Sequence, residues 1–168
     1  MRNKPIAIRT AGENDVALIE QLARRIWPAA YVGILEPQHI ENMLMRIYDH
    51  DSLRREMREE GHRFWIASLS GQDVAYASGY REDNVAWVKK VYVDPSYKKS
   101  GLGRALIQVI EDAFMPVSEV RLLVNPNNAP AMAFYSHIGF TDIGRKPVQM
   151  GDFKFVDHIF ARPVIHKG

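Results

Sequence analysis

At 168 residues, 46% of them hydrophobic and 25% charged, the chain has the size and make-up of one soluble globular domain with its own core, and is short for two. The net charge of +2, from 22 Lys plus Arg against 20 Asp plus Glu, is too balanced for a nucleic-acid binder, although a sequence pI near 8.9 suits an anionic ligand. The lack of cysteine excludes disulfides, thiolate metal sites and cysteine nucleophiles, while the lack of a signal-like or membrane-length apolar run makes a cytoplasmic protein the expectation.

Alternating apolar residues over 6–9 predict a first strand, which polar residues 10–14 end. Val16, Ile19, Leu22, Ala23 and Ile26 recur at helical spacing and predict a helix over 13–27, stopped by Pro28. Residues 28–35 read as irregular, and Pro37 after Glu36 marks a second helix with Ile40, Met43, Leu44 and Ile47 on its apolar face. Asp51 reads as the cap of a short third helix, ended by Gly61. A meander follows, with strands over 63–69, 74–80 and 86–93 and turns at Ser70-Gly71-Gln72-Asp73 and Glu82-Asp83-Asn84. Residues 102–113 form a helix that Pro116 closes, and 120–124 read as a continuously apolar strand, buried and parallel, reached by a right-handed crossover. Asn128 caps a helix to 138 with Gly139 just beyond it; strands over 140–144 and 153–162 and a frayed tail over 163–168 complete the chain. The predicted class is α/β: one domain over residues 1–168, with a mixed, mostly antiparallel sheet and helices packed on its faces.

The stretch Val91-Tyr92-Val93-Asp94-Pro95-Ser96-Tyr97-Lys98-Lys99-Ser100-Gly101-Leu102-Gly103-Arg104 is the most informative. It reads as a strand, a turn, a glycine loop and a helix start, where free N–H groups and the dipole attract an anion. No P-loop string occurs, and Leu106 stands where a dinucleotide fingerprint needs its third glycine. Alone, Gly101 and Gly103 read equally well as a tight packing turn or as a phosphate cradle.

This stretch resembles the acyl-CoA-binding core of the GNAT superfamily of N-acetyltransferases, with Lys98 where the family usually carries Gln or Arg. The block Asn128-Ala129-Pro130-Ala131-Met132-Ala133-Phe134-Tyr135-Ser136-His137-Ile138-Gly139-Phe140 resembles the family's second block, at the expected distance. The resemblance implies a sheet splayed between its fourth and fifth strands and acetyl transfer from acetyl-CoA, the cosubstrate, to an amine without an acyl-enzyme. It implies that the amides of Lys98, Lys99, Ser100, Gly101, Leu102, Gly103 and Arg104 hold the pyrophosphate, and that the edge of Val91, Tyr92 and Val93 holds the pantetheine arm. Asn128 is either a cofactor contact, an N-cap or both. Tyr135 matches the tyrosine that donates to the departing sulfur, and otherwise reads as a core aromatic.

The same resemblance often brings a Glu on the strand before the cradle, but here that strand holds Lys89 and Lys90 and no carboxylate. Proton removal through ordered water is therefore expected. Trp27, Tyr31 and Tyr80 are candidate walls of the acceptor site, with Glu36 as an ammonium partner; Trp27 reads equally as core. Trp27-Pro28, Tyr31, Gly33-Ile34-Leu35 and the closing Phe155-Val156-Asp157-His158 look like the small-amine branch of the superfamily. A small-molecule amine is thus the expected acceptor. A protein or peptide amine and a non-catalytic acyl-CoA-binding module are the alternatives. The six histidines show no metal-ligand spacing, so no metal is expected. Neither nucleic acid nor membrane is an expected partner, and the resemblance admits a homodimer.

Overall fold

The computed structural model describes residues 5–150 and 153–164, so residues 165–168 of the expected tail lie outside it. In chain order the elements are β1 (Ile6–Ala11), α1 (Val16–Ala30), α2 (Pro37–Ile47), α3 (His50–Arg58), β2 (Arg63–Leu69), β3 (Gln72–Glu82) and β4 (Val85–Val93). They continue with α4 (Leu102–Ala113), β5 (Glu119–Val124), α5 (Ala129–His137), β6 (Thr141–Met150) and β7 (Phe153–Pro163). The strands form one seven-stranded sheet in the order β1-β2-β3-β4-β5-β7-β6, antiparallel throughout except for β4 against β5. The β2–β3 turn is tight, with Ser70 and Gly71 both at positive φ, which matches the right-handed twist of the flanking strands.

Each face of the sheet carries its own core. On one face Val16, Ile19, Leu22 and Ile26 of α1, Met43 and Leu44 of α2 and Leu53 of α3 pack over Phe64, Ile66 and Tyr76. On the other, Leu102, Leu106, Ile107 and Ile110 of α4 pack over Trp65, Ala75, Ala77, Ala86 and Val88, with Tyr135 of α5 at the margin. Among the described residues, no helix is long and apolar enough to cross a membrane.

Four local expectations are corrected. Pro28 does not stop α1, which runs on to Ala30; it sits exposed in the last turn, where the carbonyl it leaves unbonded can meet water. The cap of α3 is Asp49, whose carboxylate accepts from the Ser52 N–H at 3.1 Å, while Asp51 lies inside the first turn. β5 is not continuously apolar: Val120, Leu122 and Val124 are buried, whereas Arg121 and Leu123 are half-buried on the opposite face. β6 extends to Met150 rather than ending near 144, because it pairs with β7 along its length; Pro147 is tolerated because β6 is the edge strand.

Candidate active site

The sheet opens between β4 and β5. The two strands pair only from Val85↔Glu119 to Val88↔Leu122. Beyond that, β4 stays on β3 through Lys90↔Ser78, Val91↔Ala77 and Tyr92↔Tyr76, while Leu123 and Val124 of β5 stay on β7. The β3–β4 register shifts between Ser78 and Gly79, which leaves Lys89 as the extra residue of a bulge where the split begins. Residues 89–93 therefore present a strand edge to the slot, and an edge of this kind recruits hydrogen-bonding groups.

The end of β4 leads into the glycine loop. Asp94 accepts from the Ser96 N–H at 2.9 Å, and the Ser100 hydroxyl donates to the Tyr97 carbonyl at 2.5 Å, which pins the loop. Gly101 is the N-cap of α4 at φ 87°, with no side chain capping the helix. The first-turn N–H groups of Leu102, Gly103 and Arg104 thus have no competing side-chain acceptor. The two glycines serve different ends. A Cβ on Gly101 would meet nothing within 4 Å, so the left-handed backbone is what favours glycine there. A Cβ on Gly103 would come within 3.1 Å of Phe134 Cζ, so close approach of α5 favours glycine here. Lys98, Lys99 and Arg104 are exposed and, among the described residues, make no ion pair. Free amides, unpaired cations and open space fit a pyrophosphate.

Phenols gather around the slot. The Tyr31 and Tyr92 hydroxyls share a hydrogen bond of 2.8 Å, and Trp27 packs beside both rings, at 4.8 and 5.4 Å between centroids. Trp27 itself is 2% exposed, and its indole N–H donates to the Tyr48 and Tyr76 hydroxyls at 3.2 and 3.0 Å. It supports the wall from behind instead of forming its surface, which is the core reading of Trp27 and not the acceptor-wall one. Tyr135 approaches from the other face, where it packs on Phe140 and Phe160. Its hydroxyl makes no hydrogen bond among the described residues. Burial raises its pKa well above that of an ordinary phenol, and the neighbouring Tyr31 adds to the shift. Tyr135 is therefore protonated at neutral pH. Tyr31 and Tyr135 belong to cores on opposite faces of the sheet. Asn128 caps α5, with Oδ1 accepting from the Ala131 N–H at 3.2 Å, which leaves its side-chain N–H groups for a ligand.

The remaining expected acceptor residues do not converge. Glu36 is exposed at the start of α2 and makes no capping bond. Tyr80 lies four residues along β3 from Tyr76, or ~13 Å, stacked on His62 and Trp87. There it lines an open polar cleft with Glu56, Glu60, His62, Glu82 and Lys89. Of the four, Tyr31 is the one at the phenol pair beside the slot. Two carboxylates have positions that sequence reasoning missed. Glu56 of α3 receives Lys90 Nζ at 2.8 and 2.9 Å, and His62 Nδ1 lies 3.2 Å away but poorly aligned for a hydrogen bond. The other, Asp157 of β7, has a buried oxygen with no hydrogen-bond partner. Nothing local in the sequence marks Glu56, and although Asp157 falls in the closing Phe155–His158 segment that carries the small-amine resemblance, its surroundings depend on packing between distant strands and helices.

The profile of the acetyltransferase (GNAT) family matches residues 19–140. Spermidine N(1)-acetyltransferase of Thermoplasma acidophilum is 24% identical over 149 residues, covering 80% of this chain and 88% of that protein. The ribosomal protein bS18 alanine N-acetyltransferase of Escherichia coli is 32% identical over 87 residues, covering 49% and 59% respectively. Among solved structures, PaiA N-acetyltransferase of T. acidophilum in complex with coenzyme A superposes with a TM-score of 0.78 at 22% identity, over 95% of this chain and 99% of that one. The E. coli S18 alanine N-acetyltransferase gives a TM-score of 0.69 at 21% identity, over 98% and 97%. The fold is the same in each.

Proposed function

The chain belongs to the acetyltransferase (GNAT) family and is an acetyl-CoA-dependent N-acetyltransferase; from that premise we propose that it acetylates a primary amine of a small molecule by direct attack in a ternary complex. The observation that carries the reading is the slot between β4 and β5, with a phenol of α5 reaching it and no nucleophilic cysteine in the chain.

Acetyl-CoA supplies the acetyl group. The amides from Lys99 to Arg104 hold the pyrophosphate, with Lys98, Lys99 and Arg104 adding charge; the Lys98 N–H, expected in the same set, is instead taken by the Pro95 carbonyl at 3.3 Å. The edge of Val91, Tyr92 and Val93 aligns the pantetheine arm, and an N–H of that edge faces the carbonyl oxygen as negative charge builds on it. Asn128 uses its side-chain N–H groups on the same arm. As the new C–N bond forms and the C–S bond breaks, the Tyr135 hydroxyl gives its proton to the sulfur. The proton on the amine leaves through ordered water, because β4 offers Lys89 and Lys90 and no carboxylate.

The T. acidophilum relative named for spermidine supports a small amine, and the bS18 alanine relative is the observation that favours a peptide α-amine as second reading. Incubation with acetyl-CoA and a panel of amines, followed by free thiol, separates them. Release with diamines and polyamines is the expected result. Release with peptides alone moves the acceptor to protein termini. CoA binding without release in any arm leaves a non-catalytic acyl-CoA-binding module.

A further inference from the structure

β7 carries a carboxylate that no other described residue claims. Asp157 is half-buried, and its Oδ1 is buried without a hydrogen-bond partner. A buried carboxylate oxygen left unpaired is destabilising, and native structures seldom keep one without a use for it. The two basic side chains nearest along the sheet are engaged elsewhere. Lys146 stands directly across from Asp157 on β6, on the same face, yet its Nζ lies 5.5 Å from the centre of the Trp87 ring and makes no ion pair with Asp157. The next residue, His158, has Nδ1 2.7 Å from Asp142.

The direction of the side chain follows from the alternation of β7. Phe160 points into the core that holds α4 and Tyr135, so Asp157, three residues before it, points to the opposite face. That is the face of Tyr31, and the Asp157 charge is felt at the Tyr31 hydroxyl. Tyr31 in turn pairs with Tyr92 on β4, one of the residues that face the slot. Asp157 thus sits on the acceptor side of the slot, with an unused acceptor oxygen for a hydrogen-bonded cation. Burial of a carboxylate here has one obvious compensation, the N–H groups of an alkylammonium.

We propose that Asp157 is the carboxylate that holds the ammonium group of the acceptor amine at the slot. The inference rests on reading the slot as the transferase site, and it adds a specificity residue to it. It replaces Glu36, which is exposed on α2, as the ammonium partner. Neutral isosteres of the amine should gain nothing from this position.

The test is calorimetric binding of a linear diamine to the CoA-loaded protein, wild type against Asp157→Asn and Asp157→Glu, beside the thiol-release assay. Asp157→Asn is expected to weaken diamine binding by roughly 10- to 100-fold, the worth of one charge-assisted hydrogen bond. Asp157→Glu should restore part of the loss. CoA affinity should not change, and the melting temperature of Asp157→Asn should be equal to or above that of wild type. That last readout separates a ligand site from a structural pair, whose loss would lower it. Diamine binding that is absent in wild type, or equal in wild type and Asp157→Asn, overturns the proposal. Asp157-dependent diamine binding without thiol release would leave the ammonium site standing and sink the transferase reading instead.

Discussion

Three residues are assigned distinct, separable tasks in the proposed site. Tyr135 is half-buried, and its protonated hydroxyl makes no hydrogen bond among the described residues. Tyr135→Phe is expected to lower turnover by roughly 10²-fold or more, with CoA affinity nearly intact; equal turnover in the two forms removes Tyr135 from the chemistry. Gly101 holds φ 87° in open space. Gly101→Ala should cost about 1–2 kcal/mol of stability from the left-handed backbone, read as a lower midpoint in urea, and should weaken CoA binding with it. Gly103→Val should differ: its side chain presses on Phe134, a ring that is 36% exposed and can yield, so the fold survives while CoA binding is lost in calorimetry. At this scale the sequence made the glycine loop and the start of α4 legible, because glycine placement and helix caps are local signals. It did not distinguish the two glycines, since Phe134 reaches Gly103 only once α5 has docked.

Among the elements, α3 and β4 are joined by an unusual contact. Lys90 is 4% exposed and rests on Glu56, above the rings of Tyr48 and Phe64. Burial lowers the Lys90 pKa even though Glu56 pulls it the other way. Glu56→Gln would strand the ammonium and is expected to cost about 3–5 kcal/mol in denaturant melts, whereas Glu56→Gln with Lys90→Met should cost much less. Burial also pushes Glu56 up, but His62 and Lys90 outweigh it and hold its pKa below the usual value. A carboxylate depressed in the folded state stabilises above its unfolded pKa of about 4.3 and loses that contribution as pH falls through the folded value. Stability should therefore decline in acid more steeply in wild type than in Glu56→Gln; identical acid limbs would dismiss the linkage. The sequence shows that β4 lacks a carboxylate, and periodicity places β2 and α4 at their observed bounds. It does not show that a buried lysine takes the carboxylate's place on the strand, because its partner lies 34 residues earlier, on α3.

For the molecule as a whole, the decisive feature is a sheet paired along β3–β4 and β5–β7 but open between them after Val88. Ligand entering the slot should tie these halves together. Binding at a hundredfold excess over Kd adds about 2.7 kcal/mol to stability, so CoA should raise the melting temperature. Amide exchange should slow in residues 89–93, whose edge is open, and change little in residues 85–88, which are already paired. Uniform protection along β4 would contradict this account. The sequence by itself determined the order of elements, the cradle, the Asn128–Tyr135 block and hence the family, because periodicity, caps and glycines act over a few residues. Only the tertiary structure decided where β4 and β5 part, that Tyr31 pairs with Tyr92 while Tyr135 packs on the opposite face, and that an Asp157 oxygen is buried with no hydrogen-bond partner among the described residues. Those outcomes depend on strand register and on which face each side chain takes, and a shift of one residue would reverse every one of them.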